Sequence, residues 1–562
     1  MRVNLLLTLT LLGATQPSVP TPLHYQVRPL PGQDRTDLKV SLRFKPDKEG
    51  PVSLGLPQDC YGTPDIERFV KTLSGEHGTV VTAGTDASER HVTPGPDGRV
   101  NLTYVLSFDP QVMDGVAYGP NVGPRHFHVA GCQWLLRMGD PRQARPHVIE
   151  LKDAPKAWRF YSTLGSDATR TEATASYEAL SSFAMGGGAG GFEPFQVQGR
   201  PVSVFIDGAF DRPVDDIFAA IRRIVTAQRQ TFGGAPPPFF HVVLRPRSGV
   251  IAGTAVDNAF ICFAKKDISP RELHLILAHE MFHTWVPGQL DIALDPSEAQ
   301  FRHQWFSEGF TEYLARQLLV VDGLMSMNDF AALVNSDLIN LADNPHRDAT
   351  HAAIVSVAKQ GAFNAAAKKL AYYRGALIAL EWDFQLKAKG NPQGLAALIK
   401  ELAARVAGAG GTLSESAFFA HMAAQGIDAR ADFERHIVRG EPISLSPGVL
   451  GPGFTFRNVA VPAFDPGFDL ELSLKESAIK GVLRTGPAFR AGLRNGMKLK
   501  SLRNSNRFAN GWRADLPLEI TVDNQDGPRQ IKFFPRGASR QLRLLQALPP
   551  GQGASRVDTE KL

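Results

Sequence analysis

Alternating apolar and polar positions dominate the first third of the chain. In Leu38-Lys39-Val40-Ser41-Leu42-Arg43-Phe44 and Val100-Asn101-Leu102-Thr103-Tyr104-Val105 every second side chain falls on one face, the period of a half-buried strand. Clusters of Pro, Gly and Asp separate such runs, so residues 20–172 are predicted to form a β-rich N-terminal domain. The glycine-rich stretch 186–191 lacks the Lys-Ser or Lys-Thr pair of a phosphate cradle and is expected to be a flexible loop.

Beyond that stretch the period lengthens. Val202-Ser203-Val204-Phe205-Ile206 and Phe240-His241-Val242-Val243-Leu244 read as strands on either side of a helix over 214–230. From 269 to about 436 helical spacing prevails, with Ala- and Leu-rich segments such as 394–407. Residues 173–448 are thus predicted to be a mixed α and β unit that becomes mostly α. The last hundred residues return to short strands around Gly486-Pro487-Ala488-Phe489-Arg490-Ala491-Gly492, a turn, short helix and turn, which predicts a small separate domain at 455–540. The polar tail 549–562 is expected to be disordered. The whole is a multidomain α+β chain.

Composition narrows the class. Hydrophobic residues make up 43% and charged residues 21% of 562, which excludes a disordered or membrane-embedded protein. The net charge is +5, but Lys and Arg are dispersed, so no nucleic-acid partner is expected. Arg2, the apolar residues 5–12 and the small Gly13 and Ala14 read as a signal peptide over 1–14. No later run approaches the roughly 18 apolar residues of a membrane helix, so a secreted or periplasmic protein without an integral membrane segment is expected. Only Cys60, Cys132 and Cys262 occur; Cys60 and Cys132 share a predicted domain, and their spacing leaves open whether they pair or are buried apolar residues.

The chemistry concentrates at His279-Glu280-Met281-Phe282-His283. Ser269-Pro270-Arg271-Glu272 is a capping box with proline at the first helical position, and Leu273, Leu275, Ile276, Leu277 and Phe282 supply apolar surface behind it. On such a helix two histidines four apart share a face, so both imidazoles reach one ion at about 2.0 Å. A catalytic zinc needs a third protein ligand and an open position. Glu308, in Trp305-Phe306-Ser307-Glu308-Gly309-Phe310-Thr311-Glu312, opens the next helical segment and is the candidate. Glu312, one turn on, is either the acceptor for a ligand histidine or a surface carboxylate. His274 points elsewhere on its helix and is expected to be structural.

At these residues the sequence resembles the glycyl aminopeptidase family, gluzincin zinc peptidases with an N-terminal β domain, a thermolysin-like catalytic domain and a C-terminal PDZ domain. The resemblance covers nearly the whole chain after the signal segment. It rests on His279-Glu280-Met281-Phe282-His283-Thr284-Trp285, Trp305 to Thr311, Tyr372-Tyr373-Arg374-Gly375, Phe232-Gly233-Gly234 and Gly486-Pro487-Ala488 through Gly496. It implies one Zn2+ per chain, peptide substrates, Glu280 as general base and Tyr372 as donor to the developing oxyanion, with Tyr373 the fallback donor if Tyr372 is a core aromatic. The chain departs from the family at Gly253-Thr254-Ala255-Val256-Asp257-Asn258, where the family has Gly-Gly-Leu-Glu-His. Asp257 and Asn258 are then either the anchor for a substrate amine, which makes the protein an aminopeptidase, or a turn-forming pair, which favours an endopeptidase. Val286-Pro287-Gly288-Gln289-Leu290 lacks the family's Asn and basic run, so a preference for glycine does not carry over.

A rival reading is a peptide-binding protein with a vestigial metal site. In it, the PDZ-like unit captures peptide C-termini with the backbone amides of Pro466-Gly467-Phe468-Asp469.

Overall fold

The computed structural model describes residues 21–60, 63, 65–114, 118–233, 237–247, 252–293, 303–359, 365–407, 411–504, 513–524 and 527–549. The signal segment and nearly all of the tail fall outside these residues.

The alternating pattern of the first third folds as expected. Leu23–Pro31 buries every second residue, as does its neighbour Thr36–Phe44, in a six-stranded sheet ordered Arg170–Ala175, Arg145–Leu151, Leu23–Pro31, Thr36–Phe44, Val100–Leu106, Val70–Gly75. Two four-stranded sheets complete this β-rich region around a core that includes Tyr25, Val40, Tyr104 and Trp134. Cys60 and Cys132 are joined as a disulfide across it, with Cα atoms 5.9 Å apart.

The glycine-rich stretch corrects its expectation. Ala184–Gly188 is an inner strand, paired with His126–Ala130 on one side and Arg159–Ser162 on the other. Glycine is needed there for closeness and not for flexibility: a Cβ on Gly186 would lie 2.5 Å from both Phe127 O and Tyr161 Oη. The N-terminal sheets therefore run on through Gly188, beyond residue 172.

Next comes a five-stranded sheet built from β1 (Gly191–Val197), β2 (Arg200–Ile206), β3 (Phe240–Pro246), β4 (Ala252–Val256) and β5 (Ala259–Ala264), in the order β1-β2-β3-β5-β4. β2, β3 and β5 run parallel, and β4 returns antiparallel along the outer edge. Its central strands are continuous apolar runs because both faces are covered. One face packs on α1 (Val214–Phe232) and α2 (Pro270–Phe282), where Phe260 and Cys262 meet Leu273, Leu277 and Met281. The other meets the N-terminal region, where the fully buried Arg245 pairs with Asp207 at 2.6 Å and donates to Tyr161 Oη at 3.2 Å.

Helices follow: α3 (Gln304–Ser307), α4 (Gly309–Val321), α5 (Met327–Asp343) and α6 (Ala365–Ala388). Trp382 of α6 packs edge-on against Trp305 and Phe310, anchoring it over α3 and α4. The C-terminal unit has its own small core of Phe468, Ile479, Leu493, Leu518 and Ile520. Two long antiparallel strands, β6 (Phe454–Phe464) and β7 (Arg536–Ala547), form a ribbon that carries Leu545 into the helical core. In the loop expected to capture peptide C-termini, the amides of Gly467 and Asp469 donate to Asp465 Oδ1 and Lys480 O, so both are engaged inside the unit. No described helix is long and apolar enough to cross a membrane.

Candidate metal centre

The expected capping box starts α2: Ser269 Oγ accepts from the Glu272 amide, and the Ser269 amide donates back to Glu272 Oε2 at 3.1 Å. His279 and Glu280 lie in the last turn, and His283 keeps helical geometry at the C-cap, so both imidazoles leave the same face with ring centroids 4.7 Å apart.

Each ring has one nitrogen already engaged. His279 Nδ1 is 2.8 Å from Glu312 Oε2, and His283 Nδ1 donates to Val286 O at 2.9 Å. Val286 belongs to the segment that departs from the family pattern, and its carbonyl also accepts from Thr311 Oγ1 at 3.0 Å. The two Nε2 atoms are left facing Glu308 Oε2 at 3.4 and 3.6 Å. That oxygen is buried and receives no hydrogen bond. One ligand atom from each of the three residues lies within 4.8 Å of the others.

With Nδ1 protonated on both rings, three lone pairs converge, an arrangement that calls for a cation between them. Two imidazoles and one carboxylate with room for a fourth ligand are the donor set of a catalytic zinc, so these residues fit that ion. When no metal is bound, a proton serves the same need: burial pushes His279 down, but Glu308 and Glu312 outweigh it and hold its pKa at about 10.

Glu280 is buried beside this cluster and faces the edge strand. A Cβ on Gly253 of β4 would lie 2.4 Å from Glu280 Oε1, so glycine is required for the carboxylate to sit there. Burial raises the Glu280 pKa to about 7, Glu308 adding to the rise and His279 opposing it. A carboxylate that titrates near neutrality suits a general base.

Tyr372 stacks nearly parallel to the His279 ring, with centroids 6.1 Å apart, and burial together with the nearby Glu308 carboxylate pushes its hydroxyl well above the usual tyrosine range. Two glycines bring it there. Gly309 and Gly375 let α4 and α6 touch through backbone alone, since a Cβ on Gly309 would meet Gly375 Cα at 2.4 Å. Tyr373 is turned into the core, so Tyr372 is the member of the pair that lines the cleft.

The cleft encloses about 1230 Å³. Asp257 and Asn258 form the turn of the β4–β5 hairpin at its rim. Asn258 takes a left-handed φ of 60° and donates its amide to Thr163 O at 3.1 Å, which ties the hairpin to the N-terminal region. Asp257 is exposed and, among the described residues, is the one acidic residue lining the cleft apart from Glu280, Glu308 and Glu312. It lies four residues along the strand from Gly253, about 13 Å at strand spacing.

Several contributors escape sequence reasoning. Arg316 bonds Glu312 and reaches Asp337 on α5 at 2.5 Å. Tyr118, from the N-terminal region, donates to Gly253 O at 2.9 Å, and Lys369 Nζ sits 3.8 Å from the Tyr372 ring centroid. Of these only Arg316 carries a local signal, its position four residues after Glu312 on a helix.

Residues 272–378 match the family model described as M61 glycyl aminopeptidase. The matched segment spans most of α2 to α6, the helices that carry or flank the three ligand candidates, Glu280, Glu312 and Tyr372. The fold as a whole is similar to that of a solved aminopeptidase N family protein from Idiomarina loihiensis, at 17% identity over 94% of this chain and 99% of that one, with a TM-score of 0.67. A solved M1 zinc metallopeptidase from Deinococcus radiodurans aligns at 16% identity over 76% of this chain and 94% of that one, with a TM-score of 0.41, too low to carry any argument. No curated protein matches the chain.

Proposed function

We propose that this protein is a zinc aminopeptidase of the gluzincin type, with one Zn2+ held by His279, His283 and Glu308. The observation that carries the reading is the convergence of His279 Nε2, His283 Nε2 and Glu308 Oε2 beside the buried carboxylate of Glu280. The peptidase family match over 272–378 supports it.

When bound, the ion would supply Lewis acidity toward the scissile carbonyl and its attacking water. The chain does the rest. Glu280 takes the proton of the attacking water and delivers it to the leaving amine. The Tyr372 hydroxyl, still protonated, donates to the tetrahedral oxyanion, a contribution of about 3 kcal/mol for one well-placed donor. Glu312 fixes the tautomer and orientation of His279. Asp257 is the uncommitted cleft carboxylate available to a substrate α-amine.

A second reading, endopeptidase action, is favoured by the strand spacing: the four residues from Gly253 to Asp257 reach about 13 Å, more than one residue of an extended peptide. The zinc-loaded protein, given matched peptides with free and N-acetylated termini, separates the two. The aminopeptidase reading predicts hydrolysis of the free peptides only; equal rates on both would replace it with the endopeptidase reading.

The apolar pattern of residues 1–14 supports a secreted or periplasmic setting. For the C-terminal unit, its turn-helix-turn around Gly486 supports a PDZ-like relationship, while the engaged amides of Gly467 and Asp469 weigh against peptide capture at that loop.

A further inference from the structure

Behind the ligand histidine runs a chain of buried charged groups. His279 Nδ1 meets Glu312 Oε2 at 2.8 Å, Glu312 Oε1 accepts from Arg316 Nη2, and Arg316 Nη1 donates to Asp337 Oδ2 at 2.5 Å. The Arg316 and Asp337 side chains are only 6% and 5% exposed. A buried guanidinium with one arm on each carboxylate has little freedom, and removing either partner leaves an uncompensated charge.

The last member of this chain does not share a helix with the others. Glu312 and Arg316 are on α4, whereas Asp337 comes from α5, so the placement of Arg316 depends on where α5 sits. The C-terminal ribbon is seated on the same helix, through residues that share its backbone but not the face of Asp337. Asn335 bonds Leu545 of β7 twice, amide to carbonyl and carbonyl to amide, each at 2.8 Å. Ser336 Oγ accepts from Arg513 at 2.7 Å. Asp343 Oδ1 accepts from Arg540 at 2.7 Å and from the Phe464 amide at 2.9 Å, and Ala342 O accepts from Arg540 at 2.8 Å. Two of these anchors, Asn335 and Ser336, immediately precede Asp337.

We infer that Arg316 and Asp337 are positioning residues for the metal-ligating imidazole of His279, and that the seating of the β6–β7 ribbon on α5 sets how firmly the site holds its metal. The inference rests on the zinc-site reading and extends it to a regulatory role for the C-terminal unit. Outer partners of a ligating histidine fix its orientation and basicity, and their loss typically weakens metal binding about 10- to 100-fold. Here the outermost partner is mounted on the element that the ribbon grips, so loosening the ribbon frees α5 to shift Asp337, Arg316 and Glu312 in turn.

The ribbon offers its own control. Arg543 of β7 donates to Leu445 O at 3.1 Å and makes no bond to α5. The test compares full-length wild type, Asn335→Ala/Arg540→Ala, Arg543→Ala and Arg316→Met/Asp337→Leu, the last removing both buried charges together. Two readouts are taken: the rate of zinc transfer to a chelator, and the visible spectrum of the Co2+-substituted protein, which reports ligand geometry. Arg316→Met/Asp337→Leu is expected to release zinc roughly tenfold faster or more, with an altered Co2+ spectrum. Asn335→Ala/Arg540→Ala is expected to release it about two- to thirtyfold faster, Arg543→Ala at the wild-type rate, and Arg540→Lys, which keeps a cation beside Asp343, near the wild-type rate as well.

Wild-type release and spectrum in Arg316→Met/Asp337→Leu would overturn the positioning role. Equal release from the α5-docking variant and Arg543→Ala would overturn the role of the ribbon. If circular dichroism shows the double docking variant unfolded, Asn335→Asp alone, which disrupts one of the two bonds to Leu545, is compared with Arg543→Ala by the same criterion. Wild-type protein that takes up no zinc would overturn the zinc-site reading itself, and this inference with it.

Discussion

Gly309 and Gly375 touch backbone to backbone: a Cβ on Gly375 would lie 2.8 Å from Gly309 Cα and 1.9 Å from the carbonyl oxygen of Trp305. Glu308 immediately precedes one glycine, and Tyr372 lies nearly a turn before the other. The contact therefore sets the distance between a metal ligand and the proposed oxyanion donor. Gly375→Ala is expected to force α4 and α6 apart, to cost about 1–3 kcal/mol of stability, and to lower kcat with little change in KM. Urea denaturation and steady-state kinetics check both, and a normal kcat would show that the helix contact does not position Tyr372.

Gly253 bears on the base in the same way. Its missing side chain makes room for Glu280, whose Cδ would be 2.2 Å from an added Cβ. Gly253→Ala is expected to displace the carboxylate by about 1 Å and lower kcat about 100-fold, while zinc content by elemental analysis stays at the wild-type level. Loss of zinc together with activity would place the defect in the ligands instead.

Glu280 also gives the metal-free protein a pH signature. Its carboxyl titrates near 7 in the fold, against a reference value of 4.5, chiefly because of burial. The folded state binds more proton between these values, so this group's contribution is fully present below pH 4.5 and is lost as pH rises through 7. The loss amounts to about 3 kcal/mol at most. Glu280→Gln cannot ionise, so in excess chelator it should be more heat-stable than wild type at about pH 8 and nearly equal at about pH 4. Parallel melting-temperature profiles for the two proteins would show that the carboxylate is not held in its neutral form by burial.

Asp257 is the residue on which specificity turns. If it meets a substrate amine, Asp257→Asn should raise KM about tenfold or more for peptides with a free N-terminus, since a charge-assisted hydrogen bond contributes about 1.5–3 kcal/mol. The inhibition constants of N-acetylated peptides, which would bind without being cleaved, should show no change. An equal effect on both would remove Asp257 as an amine anchor.

The convergence of the proposed ligands was legible because its geometry is local. A capping box, a four-residue histidine spacing and a glutamate at the next helix start each depend only on neighbours in sequence. The β-rich start was legible for the same reason, through its period of two. Residues 186–188 were misread because glycine signals both mobility and close packing, and only the tertiary neighbours Phe127 and Tyr161 decide between them. Asp337 and Tyr118 were invisible, since no local pattern says which face of α5 turns toward α4 or that the N-terminal region reaches Gly253.

The central claim is that His279, His283 and Glu308 hold a zinc ion whose water Glu280 activates. It is tested most directly by preparing wild type and Glu280→Gln with zinc and measuring, on the same samples, metal content and hydrolysis of a free-amine peptide. The account predicts one zinc per chain in both proteins, and turnover in the variant reduced by about 10²- to 10⁴-fold. Undiminished hydrolysis by zinc-loaded Glu280→Gln would contradict it.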